Sequence, residues 1–369
     1  MRPARPSSPE LHTPMCDLLG IRHPIIQAPM AGGWTTPELV AEVCRAGAFG
    51  VLAGARLTSE KLREDIQAVR RLTDKPFGVN FLLAPPEAGN RDVASVQRFL
   101  DRFRERLGLP PGDTELSSPP PPISEAIDVV FEERVPVFST AMGDPGELVE
   151  RAHAAGMLMV CMVTTVEEAG LVAERGADLV VAQGAEAGGH RSTFSLGSEE
   201  EAPLVGTMAL VPQVVDAVGV PVVAAGGIAD GRGLLAALAL GASGAQIGTR
   251  FLLARESGAH SAYRRRLLSA TETETVLTRL FTGRPARALR NRYTEEYLEE
   301  GPIPLAWPLQ GAAAGDIYGA SQAADDGDYS PLWAGQGVGL LTQEQGAAEI
   351  VEEILAEATV GLSGLLSTS

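Results

Sequence analysis

Short apolar runs alternate with stretches of helical spacing over the first 250 positions of this chain. The runs occupy residues 24–30, 49–53, 76–82, 135–141, 157–163, 177–183, 221–225 and 245–247. Each is bounded by glycine, proline or polar residues and is apolar on both alternating positions, the pattern of strands buried on both faces, as in parallel sheets. Between them lie helix starts with a physical signature. Thr36 precedes Pro37 and Glu38, an N-cap followed by proline at the first helical position and an acid in the first turn, and that helix runs to Gly47. Ser59 caps a helix reaching about residue 72, and Asp144-Pro145 opens one ending at Gly156. Thr165 caps a helix to Arg175, residues 206–218 form another, and Asp230 caps one to Leu240.

Strands that alternate with helices pair in parallel through helical crossovers. Eight such units occupy the length a (β/α)8 barrel requires. The predicted fold is therefore α/β, a TIM barrel over residues 18–259. A doubly wound open sheet is the competing architecture, and it lacks a G-x-G-x-x-G after the first run.

Other segments depart from this rhythm. Residues 1–17 read as a flexible arm. Residues 84–122 form a Pro-rich insertion with a charged helix at 92–107 and four consecutive prolines, expected to cover the surface rather than enter the core. After Arg250 the pattern turns helical and irregular, with helices at 260–269 and 293–300 around a short extended stretch. Residues 311–339 are rich in Gly, Ala and Asp, and an amphipathic helix follows at 343–355. Residues 260–369 are expected to be a mostly helical C-terminal appendage packed on the barrel, its last helix closing it.

Composition narrows the function. The chain has 369 residues, 45% of them hydrophobic, and a net charge of −17. Such an acidic surface disfavours nucleic acid and anionic membranes and suits an enzyme of small molecules. No run approaches the 18 or so apolar residues of a membrane span. Cys16, Cys44 and Cys161 are too few and too far apart for a disulfide framework or a metal box, which fits a reducing cytoplasm. Cys161 lies in an apolar run and reads as a buried thiol. No His, Asp and Glu spacing resembles a metal site. His12, His23, His153 and His260 read as solvated or locally bonded, and Glu199–Glu201 as a solvated acidic face.

The chemistry concentrates in residues 176–191, G-A-D-L-V-V-A-Q-G-A-E-A-G-G-H-R. A buried strand ends in Gln183, and a glycine-rich loop then presents His190. Barrel enzymes keep their chemistry at the carboxyl ends of strands, and their phosphate sites follow the seventh and eighth. Here those turns are Gly226-Gly227-Ile228 and Gly248-Thr249-Arg250, whose backbone N–H groups can hold an anion. Asn80 and Gln183 can serve the amide-like edge of a flavin and Met30 can cover its face, so the strand ends suit a flavin better than a nicotinamide.

In this order H-P-I-I-Q-A-P-M-A-G, G-V-N-F-L, Q-G-A-E-A-G-G-H, A-A-G-G-I and I-G-T-R-F resemble the nitronate monooxygenase family, formerly the 2-nitropropane dioxygenases, over about residues 18–340. The family is similar in fold to FMN-dependent enoyl-acyl carrier protein reductases. The resemblance implies FMN as cofactor and oxidation of alkyl nitronates by O2. It places the catalytic histidine at His190. It places flavin contacts at Ala28, Pro29, Met30, Asn80, Gln183, Gly188 and Gly189, the phosphate cradle at Gly226, Gly227, Gly248 and Thr249, and a returning C-terminal stretch at residues 333–336, with Gln336. Many relatives have glycine soon after the histidine, where this chain has Arg191-Ser192-Thr193. Whether His190 deprotonates a neutral nitroalkane or only binds the nitro oxygens stays open, as does a homo-oligomer. The rival readings are an NAD(P)H-dependent FMN reductase of an enoyl thioester or quinone, and a non-catalytic flavin-binding protein.

Overall fold

The computed structural model describes residues 11–116, 123–197 and 201–367. In chain order the strands are β1 (Ile25–Gln27), β2 (Phe49–Ala53), β3 (Gly78–Leu82), β4 (Val137–Ala141), β5 (Leu158–Val163), β6 (Leu179–Gln183), β7 (Gly189–His190), β8 (Val222–Ala225), β9 (Gly244–Ile247), β10 (Thr275–Thr278) and β11 (Ala286–Leu289). All but β7, β10 and β11 form a closed parallel barrel, with β9 pairing back onto β1 through Ile25 opposite Ala245 and Gln27 opposite Ile247. The fold is thus the eight-stranded barrel that the apolar runs predict.

The helices are α1 (Pro14–Leu19), α2 (Pro37–Arg45), α3 (Ser59–Leu72), α4 (Val93–Leu107), α5 (Ile123–Glu132), α6 (Leu148–Ala154), α7 (Val166–Glu174), α8 (Thr207–Ala217), α9 (Gly231–Ala239), α10 (Ser261–Ser269), α11 (Arg292–Glu300), α12 (Leu309–Ala313), α13 (Gly315–Ala323) and α14 (Ala347–Ser367). Their starts follow local chemistry. Thr36 accepts from Leu39 N–H, Asp230 from Gly233 N–H, and Thr165 with Glu168 forms a capping box. Thr58 rather than Ser59 caps α3, its hydroxyl accepting from Lys61 N–H.

Inside the barrel Ile26, Phe49, Val51, Val137, Val160, Leu179, Val181 and Val223 pack together, joined by Met15, Cys16 and Leu19 of α1. The segment expected as an arm through residue 17 therefore enters the core from Met15 onward, because the apolar face of α1 (Met15, Cys16, Leu19) is buried against the barrel strands; residues 1–10 lie outside the described ones. At the far end of the chain, α14 packs on α9 and α2, with Ile350, Val351 and Ile354 against Leu39, Leu234 and Ile25. The chain's last helix thereby fills the gap left in the helical ring after β9.

A second core contradicts the expectation that residues 84–122 only cover the surface. Val96, Phe99, Leu100 and Phe103 of α4 pack on Leu280, Phe281, Tyr293, Tyr297, Leu305, Ile317, Tyr318 and Tyr329. At its edge Arg104, 2% exposed, donates to both carboxylate oxygens of Asp316 at 2.7 and 3.0 Å and to the Ala313 carbonyl at 2.6 Å. The charges on α4 hid an apolar stripe at i, i+3, i+4 and i+7. Residues 117–122, the proline run, lie outside the described residues. Helix α5, and α12 with α13 in the Gly/Ala-rich stretch, have no counterpart among the elements expected from the sequence. β7, β10 and β11 form a small antiparallel sheet, so the C-terminal region is not helical alone. Among the described residues no helix is long and apolar enough to cross a membrane.

Candidate active site

The carboxyl ends of β6, β8, β9 and β1 meet at one mouth of the barrel. Gln183 closes β6 and is 5% exposed. Its Nε2 donates to the His190 carbonyl at 2.9 Å, while its Oε1 accepts from Ser192 N–H at 2.9 Å and from Arg191 Nη1 at 3.0 Å. The side chain expected to serve a cofactor edge thus shapes the histidine loop as well. One Nε2 hydrogen remains uncommitted among the described residues.

His190 leaves the loop as β7, pairing with Ala286 of β11. Its ring lies 5.4 Å from the ring of Trp307, edge to face, and 5.4 Å from that of Trp333. Nε2 meets Thr282 Oγ1 at 2.9 Å. When that hydroxyl donates to the Arg284 carbonyl at 3.3 Å, Nε2 carries the proton and Nδ1 keeps its lone pair. Burial, then the positive charges of Arg284 and Arg56, push the imidazole down to about pKa 3. His190 is therefore neutral at physiological pH.

Three buried arginines hold this loop by its carbonyls. Arg191, fully buried, donates to the Gly184 carbonyl at 2.6 Å, the Gln183 carbonyl at 3.1 Å and the Pro203 carbonyl at 3.2 Å. Arg287 donates to the Ala185 carbonyl at 2.9 Å. Arg284 donates to the Thr193 carbonyl and pairs with Glu87. The Arg191-Ser192-Thr193 departure is thus a structural device. Thr193 Oγ1 and Phe194 N–H also reach the buried Glu168 carboxylate, at 2.8 and 2.7 Å.

The two glycine turns adjoin this loop. Gly226 has φ +116°, and a Cβ there would lie 2.9 Å from Thr207 Oγ1 and 3.1 Å from Ala187 N. Gly188 passes so close to the C-terminal strap that a Cβ would lie 2.6 Å from Gly335 N. Gly335 N–H in turn donates to Thr249 Oγ1 at 3.0 Å. The strap from Trp333 to Gly335 therefore links the His190 ring to the second turn. Ala28 reaches the same place, donating to the Ile247 carbonyl, and it is the atom group nearest a Cβ built on Gly248. Gly189, at φ +73°, carries the chain into β7.

The donor set fits a phosphate. Among the described residues the N–H groups of Gly226, Gly227 and Gly248 reach no protein acceptor, and all three residues are at least partly exposed. The first N–H groups of α9 are already committed. Its Gly231 and Gly233 N–H groups are taken by the Glu357 and Asp230 carboxylates. The start of α8 is likewise filled by Glu186, which accepts from Thr207 N–H at 2.9 Å. The donors at hand are those of the two turns, the second of which opens a short 3-10 helix at Thr249–Leu253.

Asn80 is 4% exposed and donates to Ser139 Oγ at 3.0 Å, leaving its Oδ1 as an acceptor. Met30 and Pro29 are half-buried at the end of β1, where Met30 packs on core side chains and donates its N–H to Thr35 Oγ1 at 2.9 Å. Gln336 joins the strap through its backbone, N–H to the Glu186 carbonyl at 2.9 Å. It also lines a groove of about 520 Å³ that includes the first glycine turn, with Gly226, Gly227, Thr207, Met208 and Leu340. Thr282, Arg284, Trp307 and Arg56 were not legible as site residues. They lie far from residue 190 in sequence, and only the packing of the second core, the roof of the barrel mouth, brings them to it.

The other histidines divide. His153 is an exposed partner of Asp178, at 2.9 Å. His260 is not solvated as expected: it sits between Trp34 and Tyr263 and meets Asp325 Oδ1 at 3.0 Å. Burial holds the Cys161 thiol up at about 12, consistent with an inert core residue. Glu199 and Glu200 lie outside the described residues.

Fold and mouth together define a parallel (β/α)8 barrel whose glycine turns, with the donors an anionic group needs, adjoin a neutral histidine. The family model for nitronate monooxygenase matches residues 12–357. The probable nitronate monooxygenase of Staphylococcus haemolyticus is 39% identical over 93% of this chain and 97% of its own length. That of Staphylococcus saprophyticus is 37% identical over 95% and 98%. Among solved structures, the nitroalkane oxidase of Streptomyces ansochromogenes superposes with a TM-score of 0.87 at 38% identity, covering 95% of this chain and 99% of that one. FabK of Thermotoga maritima gives 0.78 at 31% identity, covering 97% and 99%. The chain belongs to the nitronate monooxygenase family and is an oxidoreductase. The family is typically flavin-dependent.

Proposed function

We propose that this enzyme uses FMN to oxidise alkyl nitronates with O2, giving a carbonyl compound and nitrite. The observation that carries the reading is the neutral imidazole of His190, joined through the Trp333–Gly335 strap and the Gly188 loop to two phosphate-sized turns. FMN, when bound, supplies the electron acceptor and the route to O2. Gly226, Gly227, Gly248 and the Thr249 hydroxyl hold its phosphate. Asn80 Oδ1 and the free Nε2 hydrogen of Gln183 offer an acceptor and a donor to its ring edge.

The charge distribution favours the nitronate anion over the neutral nitroalkane. Arg284, Arg191 and Arg287 surround the loop, and among the described residues Glu87 is the only carboxylate in direct ion-pair contact with any of the three. An anion is drawn to such a site. An imidazole pushed down to about 3 is too weak a base to remove a nitroalkane proton efficiently near neutrality. With its one N–H committed to Thr282, His190 accordingly orients the substrate between Trp307 and Trp333; it binds the nitro oxygens only in the other tautomer, where Thr282 donates to Nε2 and Nδ1 carries the proton.

The test is an absorbance scan of the purified protein followed by anaerobic mixing, first with a nitronate and then with NADPH. A yellow protein bleached by nitronate supports the reading, and rapid bleaching by NADPH alone overturns it. The latter result would select the reductase reading, which the likeness to FabK keeps in play. Colourless protein that takes up no FMN would sink both.

A further inference from the structure

Arg191 is an unusual residue to bury. It is fully inaccessible, it ends on oxygens of Gln183, Gly184 and Pro203, and among the described residues it has no carboxylate within ion-pair distance. Its Nε–H is buried without an acceptor. A buried charge stripped of water and given only neutral dipoles is costly. Glu168 lies close enough to act on it electrostatically but spends its own oxygens on Thr164, Thr165, Thr193 and Phe194. Burial lowers the guanidinium only to about 10, so the charge persists at neutral pH.

The geometry also settles which way the Gln183 amide faces. Arg191 Nη1 and Ser192 N–H, both obligatory donors, meet the same side-chain atom of Gln183. That atom must be the oxygen, so the nitrogen is turned to the His190 carbonyl with one hydrogen left over. Without Arg191 one of the two donors that lock the amide is gone.

We propose that Arg191 is a positioning residue for the cofactor. It locks Gln183 as an N–H donor toward the flavin ring and leaves behind it a buried positive charge with no direct ion pair among the described residues, so that the site favours the reduced, more negatively charged form of FMN. The proposal rests on the flavin reading above and adds to it the residue that sets the cofactor's potential. It also gives a use to the first residue of the Arg191-Ser192-Thr193 stretch after the histidine.

The test compares the two-electron midpoint potential and FMN affinity of the wild-type holoenzyme with those of Arg191→Met, Arg191→Lys and Gln183→Glu. Lysine keeps the charge without the planar fork. Glutamate keeps both acceptor contacts but removes the donor and neutralises the charge. The reduced cofactor is expected to be held roughly tenfold less tightly relative to the oxidised one in Arg191→Met and Gln183→Glu, a fall of about 30 mV for the two-electron couple. Arg191→Lys should stay nearer to the wild-type potential while losing overall FMN affinity. Unchanged potentials in Gln183→Glu and in a folded Arg191→Met overturn the proposal. If Arg191→Met does not fold, Gln183→Glu at the wild-type potential, or Arg191→Lys shifted as far as Gln183→Glu, does so. A wild-type protein that binds no flavin would instead overturn the functional reading itself.

Discussion

Replacing His190 by glutamine should change how stability depends on pH, and the structure supplies the size of the change. In the folded protein the imidazole is held near pKa 3, whereas an unfolded chain titrates it at about 6.5. Between these values the unfolded state binds a proton that the folded state refuses. Stability therefore rises with pH through that window, is complete above about 6.5, and is lost as the pH falls toward 3. One residue binding one extra proton in the unfolded state contributes a slope of about 1.4 kcal/mol per pH unit. From pH 6 to pH 4.5 the wild type should thus lose on the order of 2 kcal/mol more than His190→Gln. Urea unfolding of both proteins, stripped of cofactor, at half-unit pH intervals measures this as a difference of midpoints. Parallel curves over that range would show that the imidazole titrates alike in both states, and the picture of a ring kept neutral by Trp307, Trp333 and Arg284 would be refuted. Activity offers a second reading. With nitronate as substrate, kcat/KM should show no limb near pH 6.5 that disappears in His190→Gln.

Further consequences follow from the same contacts. Thr282→Val removes the 2.9 Å partner of His190 Nε2, and kcat/KM should fall about five- to tenfold, the equivalent of one hydrogen bond, with flavin binding unchanged. Gly226→Ala forces a side chain into a φ of +116° against Thr207 Oγ1; it should cost about 1–3 kcal/mol of stability and weaken FMN binding in equilibrium dialysis. Arg104→Met removes the partner of the Ala313 carbonyl and of the half-exposed Asp316 carboxylate, and should lower stability by about 1–3 kcal/mol in thermal or urea unfolding. A wild-type unfolding midpoint for that variant would show that the roof does not depend on the clamp.

The barrel was legible because its signals are local. A strand buried on both faces reads as an apolar run, and Thr36, Thr165 and Asp230 announce the helices that follow by the bonds their own side chains make. His190 and the two glycine turns could be placed at one mouth from strand count alone, since a closed parallel barrel puts every carboxyl end on the same side. The roof was not legible. Val96, Phe99, Leu100 and Phe103 face Phe281, Tyr293 and Tyr318 only because the chain folds back nearly two hundred residues later, and no local pattern encodes that pairing. The same holds for the properties of the histidine. Its position is a matter of sequence order, but its charge state depends on Arg284, Trp307 and Trp333, brought around it by the small sheet and the strap. Burial and electrostatics are sums over neighbours in space, so tertiary structure alone decides whether an imidazole at that mouth is a base or a neutral ligand. The order of residues decides only that an imidazole is there.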